Sequence, residues 1–172
     1  IPVPSGDPSF DPAGTVTKTI PMNRSEFDAK TGTSAANPRQ QVNSITAWLD
    51  GSMIYGSDTT TANSLRTLSG GQMKTSAGNL LPTDEKGMFL AGDSRVGENP
   101  ELTSLHTVFL REHNRLAAQF AKANPTWTDE QIYQQARAWV IGEMQVITYN
   151  EWLPSLLGPA GLKAYSGYKP QV

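Results

Sequence analysis

The stretch that most limits what this chain can become runs from Asn99 to Pro125. Asn99 suits a helix N-cap, Pro100 the first helical position, and Glu101 the positive end of the helix dipole. Leu102, Leu105, Phe109, His113, Leu116 and Phe120 then recur at steps of three and four, which predicts one apolar face held over roughly five turns. Asn124 and Pro125 close the helix. So long an apolar face needs a partner, and the chain supplies one at once. Thr128 and Gln131 have the spacing of a capping box, with Trp127 placed to staple onto Ile132. Ile132, Ala136, Trp139, Val140, Glu143 and Ile147 continue on one side, and Gly158 and Pro159 stop a short apolar tail at Leu153, Leu156 and Leu157. The expected fold is mainly α: two long antiparallel helices over shorter ones, joined by long connecting loops.

Upstream the signals are weaker. Residues 1–39 alternate Pro, Gly, Ser, Thr, Asn and Asp with isolated apolar residues, and read as an extended surface segment lying on something else. Residues 40–172 form the main body. A short helix is expected from Gln40 to about Leu49, and a second one capped by Asp58, carrying Leu65 and Leu68 and ended by Gly70 and Gly71. Residues 72–92 make a punctuated connector in which Met73, Leu80, Leu81, Met88, Phe89 and Leu90 are anchors and brief strands are expected.

Composition removes several function classes. Fourteen Lys and Arg against 16 Asp and Glu leave a net charge of -2, with no basic stripe to attract nucleic acid. No apolar run approaches the roughly 20 residues of a transmembrane helix. The chain has no cysteine, so thiolate chemistry and disulfides are excluded while the compartment is not. The opening residues have neither the charged nor the apolar region of a signal peptide, and the natural N-terminus is expected to have been removed or to lie upstream. Asn23, Arg24 and Ser25 match the glycosylation pattern, a weak three-residue signal.

Two segments carry possible chemistry. Arg95 and Glu98 lie on a glycine-containing turn just before the capped helix. They read either as a surface ion pair or as the wall of a site in which a guanidinium stabilises negative charge developing on a bound oxygen species. Thr46, Trp48, Asp50 and Ser52 alternate through one stretch, offering the hydroxyl, carbonyl and carboxylate oxygens a hard cation takes. Termination of a helix by Asp50 and Gly51 explains the same residues. With one carboxylate, a complete site needs oxygens from elsewhere. His106 and His113, seven apart, lack the i,i+4 spacing of a zinc pair and read as hydrogen-bonded helix histidines.

The run FLAGDSRVGENPELTSLHTVFLREHNRLA at residues 89–117 closely resembles the animal haem peroxidase (peroxidase-cyclooxygenase) superfamily. The resemblance extends through residues 124–125, 133–137 and QVITYNEWLP at 145–154, and upstream to ITAWLDGSMIYGS at 45–57. It implies the central part of a helical haem peroxidase domain. By resemblance Arg95 is the distal arginine that polarises hydrogen peroxide, and Glu98 the glutamate esterified to a haem methyl group. Some members hold a methionine at the position of Asn99 that forms a sulfonium link; asparagine does not. Thr46, Trp48, Asp50 and Ser52 align with the family's calcium loop, whose remaining carboxylate would come from beside the distal histidine.

The same resemblance puts the distal histidine and a second ester-forming aspartate before Ile1. The proximal histidine falls beyond residues 167–172, which resemble the lead-in to its helix. Neither His106 nor His113 aligns with either. The implied partners are the segments or chains that carry those histidines, hydrogen peroxide, and a small electron donor: a halide, thiocyanate or an aromatic compound. Secretion is implied by the family. The lack of cysteine suggests a bacterial-type or otherwise divergent relative. Two other readings stand beside the peroxidase: a fatty-acid dioxygenase of the same superfamily, and a peroxidase-like domain kept for adhesion or matrix assembly.

Overall fold

The computed structural model describes residues 1–15, 19–22, 25–158 and 160–167. The glycosylation pattern at residues 23–25, Pro159 and most of the 167–172 run therefore fall outside the described residues in part or whole. The chain divides into two compact units, Ile1–Ser44 and Ile45–Val172.

The first unit has no helix among its described residues and is built from turns closed by isolated bridges. Pro2 bridges to Thr19 and Phe27 to Gln41. Ile1 and Ile20 exchange backbone bonds of 2.8 Å, and Asn37 fastens its own loop through Thr33 and the Lys30 carbonyl. The Arg39 guanidinium lies 3.9 Å above the Phe27 ring.

The second unit is helical. Its α-helices are α1 (Ser52–Tyr55), α2 (Thr59–Leu65), α3 (Pro100–Ala123), α4 (Asp129–Ile147) and α5 (Leu153–Leu157). A π turn, Thr148–Trp152, joins α4 to α5. No helix of the described residues is long and apolar enough to cross a membrane.

α3 starts as its sequence predicts: Asn99 sits in extended backbone, and its side chain accepts the Leu102 amide at 2.7 Å. The capping box of α4 is complete, Thr128 and Gln131 each bonding the other's backbone amide.

Four expectations fail. Residues 40–49 are not helical. Val42, Ile45 and Thr46 are β-branched, and the Thr46 hydroxyl takes the Trp48 amide in a local turn that competes with a helix. α2 ends at Leu65, and Leu68 is exposed with a φ of 59°. The buried face of α3 is His106, Leu110, His113 and Ala117, with Thr107 and Leu116 beside it, so Leu105 points outward. On α4, Ile132, Tyr133, Ala136 and Val140 are buried while Trp139 and Ile147 are exposed. In both long helices the buried stripe contains polar or aromatic groups that hydrophobicity alone ranks below leucine and tryptophan.

Those groups organise the core. Tyr55 meets His113 and Tyr133 edge-on, and His113 and Tyr133 are tilted against each other, with ring centroids 5.3 to 6.0 Å apart. The connector after α2 is sewn to both long helices. Asn114 exchanges side-chain bonds with the Met73 backbone at 2.7 and 3.0 Å, and Asp129 accepts the Gly71 amide at 2.7 Å. Arg66, buried over the Tyr133 ring, pairs with Asp129 and Glu130 at 2.7 and 2.6 Å. Gly71 has a φ of 68°, and a Cβ there would meet Ile132 Cγ2 at 2.6 Å. Only glycine combines that conformation with so close an approach.

Candidate functional site

The arginine segment is a 3₁₀ turn, Ser94–Gly97, with Asp93 as its cap. Asp93 Oδ1 accepts the Arg95 amide at 2.9 Å and its Nε–H at 3.0 Å, and Oδ2 accepts from Nη2 at 2.6 Å. The hydrogen bonds and charge of Arg95 bring the Asp93 carboxyl down to about 2. Asp93 and nearby Glu98 in turn raise the already high pKa of Arg95, so it is a permanent cation. The expected ion pair of this turn therefore exists, but with Asp93. A guanidinium has five N–H groups and the fork onto Asp93 uses two of its side-chain ones. The opposite edge is left for a ligand, and the side chain is 55% exposed. Glu98 lies three residues on, exposed, its amide bonded to the Arg95 carbonyl at 2.9 Å. The turn thus presents a fixed guanidinium and an accessible carboxylate side by side.

Asn99 turns its side chain to the α3 cap, away from any covalent role.

The oxygen-rich loop gathers around Asp50. Ser52 donates its amide to Asp50 Oδ1 at 3.0 Å. Burial opposes ionisation of Asp50, but the amide and hydroxyl of Ser52 and the hydroxyl of Thr46 outweigh it and hold the carboxyl below its ordinary range. Thr46, Asp50 and Ser52 are half-buried, whereas Trp48 is 72% exposed. Gln145 ties the loop to α4 through the Leu49 carbonyl at 2.8 Å. An ionised carboxylate with two hydroxyls and a carbonyl matches hard-cation chemistry. No group of three or more His, Cys, Asp or Glu able to hold a metal occurs among the described residues.

Both histidines are committed elsewhere. His113 is fully buried, its Nε2 2.8 Å from the Gly71 carbonyl and its Nδ1 3.0 Å from the Tyr55 hydroxyl. A carbonyl only accepts, so Nε2 carries the proton and Nδ1 accepts from Tyr55. His106 is 3% exposed and bonded through Nδ1 to the Leu102 carbonyl at 2.8 Å, with Nε2 buried and unpartnered.

The larger clefts lie away from these residues. A groove of about 1070 Å³ runs between α3 and α4, lined by Val108, Phe109, Trp139, Gly142, Val146 and Ile147 among others. Glu112 and Glu143 sit in its wall, where burial and the Glu112 charge raise the Glu143 pKa. Sequence reasoning missed Asp93 as the partner of Arg95 and the Tyr55–His113–Tyr133 cluster. The first was legible as an acid at a cap position two residues upstream; the second pairs residues up to 78 apart in a contact no local pattern encodes.

The model of the animal haem peroxidase family matches residues 1–172. The chain is 37% identical to dual oxidase 1 of dog over 187 residues, covering 98% of this chain and 12% of that protein. It is 37% identical to peroxinectin A of Dictyostelium discoideum over 196 residues, covering all of this chain and 36% of that one. The chain thus spans between about an eighth and about a third of these relatives' lengths. Among solved structures it resembles peroxidase A of Dictyostelium discoideum, with a TM-score of 0.80 and 34% identity over 98% of this chain and 38% of that one. It also resembles a fatty acid alpha-dioxygenase of Arabidopsis thaliana, with a TM-score of 0.64 and 29% identity over 74% of this chain and 20% of that one.

Proposed function

This chain belongs to the animal haem peroxidase family, and on that premise we propose that it is the part of a hydrogen peroxide-dependent haem oxidoreductase that supplies the distal arginine, Arg95, a haem-linking carboxylate, Glu98, and half of a calcium site. The observation that carries the reading is the single exposed turn on which Arg95 and Glu98 stand together, the arginine braced by Asp93.

The haem, held with the help of Glu98, supplies the redox chemistry. The free edge of Arg95 donates hydrogen bonds to a peroxide oxygen and stays cationic as negative charge develops across the O–O bond. Asp93 keeps the guanidinium plane from rotating away, so less reorganisation is required at the moment of reaction. Peroxide takes up two electrons and two protons and leaves as two waters; a halide, thiocyanate or aromatic donor supplies the electrons. Thr46, the Trp48 carbonyl, Asp50 and Ser52 contribute oxygens to calcium, with further ligands from segments outside residues 1–172. The histidines that bind iron and move the peroxide proton belong to those same segments, and the assembled enzyme is extracellular.

The likeness to fatty acid alpha-dioxygenases supports a second reading, in which the same turn serves fatty-acid oxidation. The greater likeness to peroxidase A, with a TM-score of 0.80 against 0.64, favours peroxidase chemistry.

The test is an absorption spectrum of the purified full-length protein before and after acid-acetone extraction, with mass analysis of the peptide that carries Glu98. A Soret band with haem retained on that peptide, and released by Glu98→Gln, is expected. Extractable haem overturns the ester while leaving a haem enzyme; a haem-free full-length protein overturns the oxidoreductase.

A further inference from the structure

The oxygen-rich loop and the arginine turn are some forty residues apart in sequence and joined backbone to backbone in space. The Asp93 amide donates to the Met53 carbonyl at 3.0 Å, and the Gly92 amide to the Ile54 carbonyl at 3.2 Å. Both carbonyls belong to α1, whose first residue, Ser52, is the last of the loop's oxygen donors. The approach leaves no room for a side chain: a Cβ on Gly92 would overlap the Ser52 carbonyl oxygen and the Gly56 nitrogen. Glycine is required here for contact, since its φ is not in the left-handed region.

Asp93 is the pivot of this joint. Its main chain is fixed to α1 and its carboxylate grips Arg95. An unbroken path therefore runs from the Asp50 carboxylate to the Ser52 amide, along α1 to the Met53 carbonyl, through Asp93, to the guanidinium.

α1 is four residues long, and its first residue, Ser52, accepts the Gly56 amide at 2.7 Å, so a disturbance at Ser52 spans the whole short helix. Ser52 bonds Asp50 through its amide and its hydroxyl. A cation drawing on those same oxygens must re-aim Ser52, and the change reaches the Met53 carbonyl within one turn.

We propose that Gly92 and Asp93 are positioning residues that couple the loop of residues 46–52 to Arg95, so that a divalent cation in the loop fixes the placement of the arginine. This rests on the proposed function only for the loop as a cation site and Arg95 as the reacting guanidinium. Contiguity in space is not by itself coupling, so the test measures coupling directly.

The full-length protein is titrated with terbium, whose emission is sensitised through exposed Trp48, with Trp48→Phe as the control that identifies the loop. Amide exchange of the peptide covering residues 90–98 is then followed in calcium and in chelator. Calcium is expected to slow exchange at Gly92 and Asp93 by about tenfold or more, the signature of a stabilised local unit, while the α3 amides near His113 are unchanged. Asp93→Asn keeps the backbone amide and the shape but weakens the grip on the guanidinium. It should retain calcium protection of those two amides, yet make tryptic cleavage after Arg95 independent of calcium. Gly92→Ala should still bind terbium and lose the protection. Terbium binding at Trp48 with no calcium effect on residues 90–98 overturns the coupling and leaves the cation site standing. Absence of terbium emission from Trp48 removes the cation site, and the coupling with it.

Discussion

His113 is neutral because of where its two nitrogens point. One donates to a carbonyl and the other accepts from a phenol, and burial brings its pKa down to about 4. Below pH 6.5 the unfolded chain gains a proton that the folded chain refuses until pH 4. Stability that is full above 6.5 therefore drains away as pH falls through that window and levels off beneath it, a loss on the order of 3 kcal/mol. His113→Gln should be less stable at pH 7 and should flatten the dependence. Denaturant midpoints for both proteins at pH 7, 6 and 5 check this, and parallel slopes would refute it. Arg95 makes a contrasting case, since its exposed pair with Asp93 serves placement more than stability. Arg95→Lys keeps the charge but loses the planar fork. On the proposed function, in the full-length protein it should lower the rate constant for reaction with peroxide by at least about a hundredfold, measured by stopped flow, with haem content unchanged. A variant that reacts at the parent rate would remove Arg95 from the chemistry.

At the level of elements, helix starts are local and helix faces are not. Asn99→Ala and Thr128→Ala should each cost about 1 kcal/mol in chemical denaturation, because each removes a bond to an amide with no partner inside its helix. The glycine pair after α2 gives a sharper contrast. Gly70 has a φ of 60° with open space around it, so Gly70→Ala should cost about 1 kcal/mol. Gly71→Ala adds a collision with Ile132 and Tyr133 and should cost about 3 kcal/mol or more. Equal losses would mean that the contact with α4 is not tight. The same division between local and distant explains what could be read beforehand. Asp58, Asn99 and Thr128 announce their helices because a cap is a matter of three or four residues. The missing helix at residues 40–49 and the rotated face of α3 could not be read that way. Burial of His113 depends on Tyr55 and Gly71 arriving from elsewhere in the chain. Of the candidate site, the residue types around Arg95 and Asp50 were legible as chemistry, and their union through Gly92 was not, because a backbone contact leaves no trace in side-chain pattern.

Across the whole molecule, the second unit keeps a firm interior and an unfinished exterior. Inside, Arg66 pairs with Asp129, Asn114 with the Met73 backbone, and His113 with the Gly71 carbonyl and the Tyr55 hydroxyl. Outside, Leu105, Val108, Trp139, Val146, Trp152 and Leu156 are each more than half exposed, several along the groove between α3 and α4. Contiguous apolar patches on a protein surface mark contact surfaces. The 172-residue chain by itself should therefore brighten a hydrophobic dye such as ANS far more than the full-length protein does, molecule for molecule. Equal fluorescence would show that nothing further covers this face. The groove also has a consequence in time. During synthesis, these tryptophans and valines are bare from the moment they leave the ribosome, which makes the stretch a natural client for chaperones.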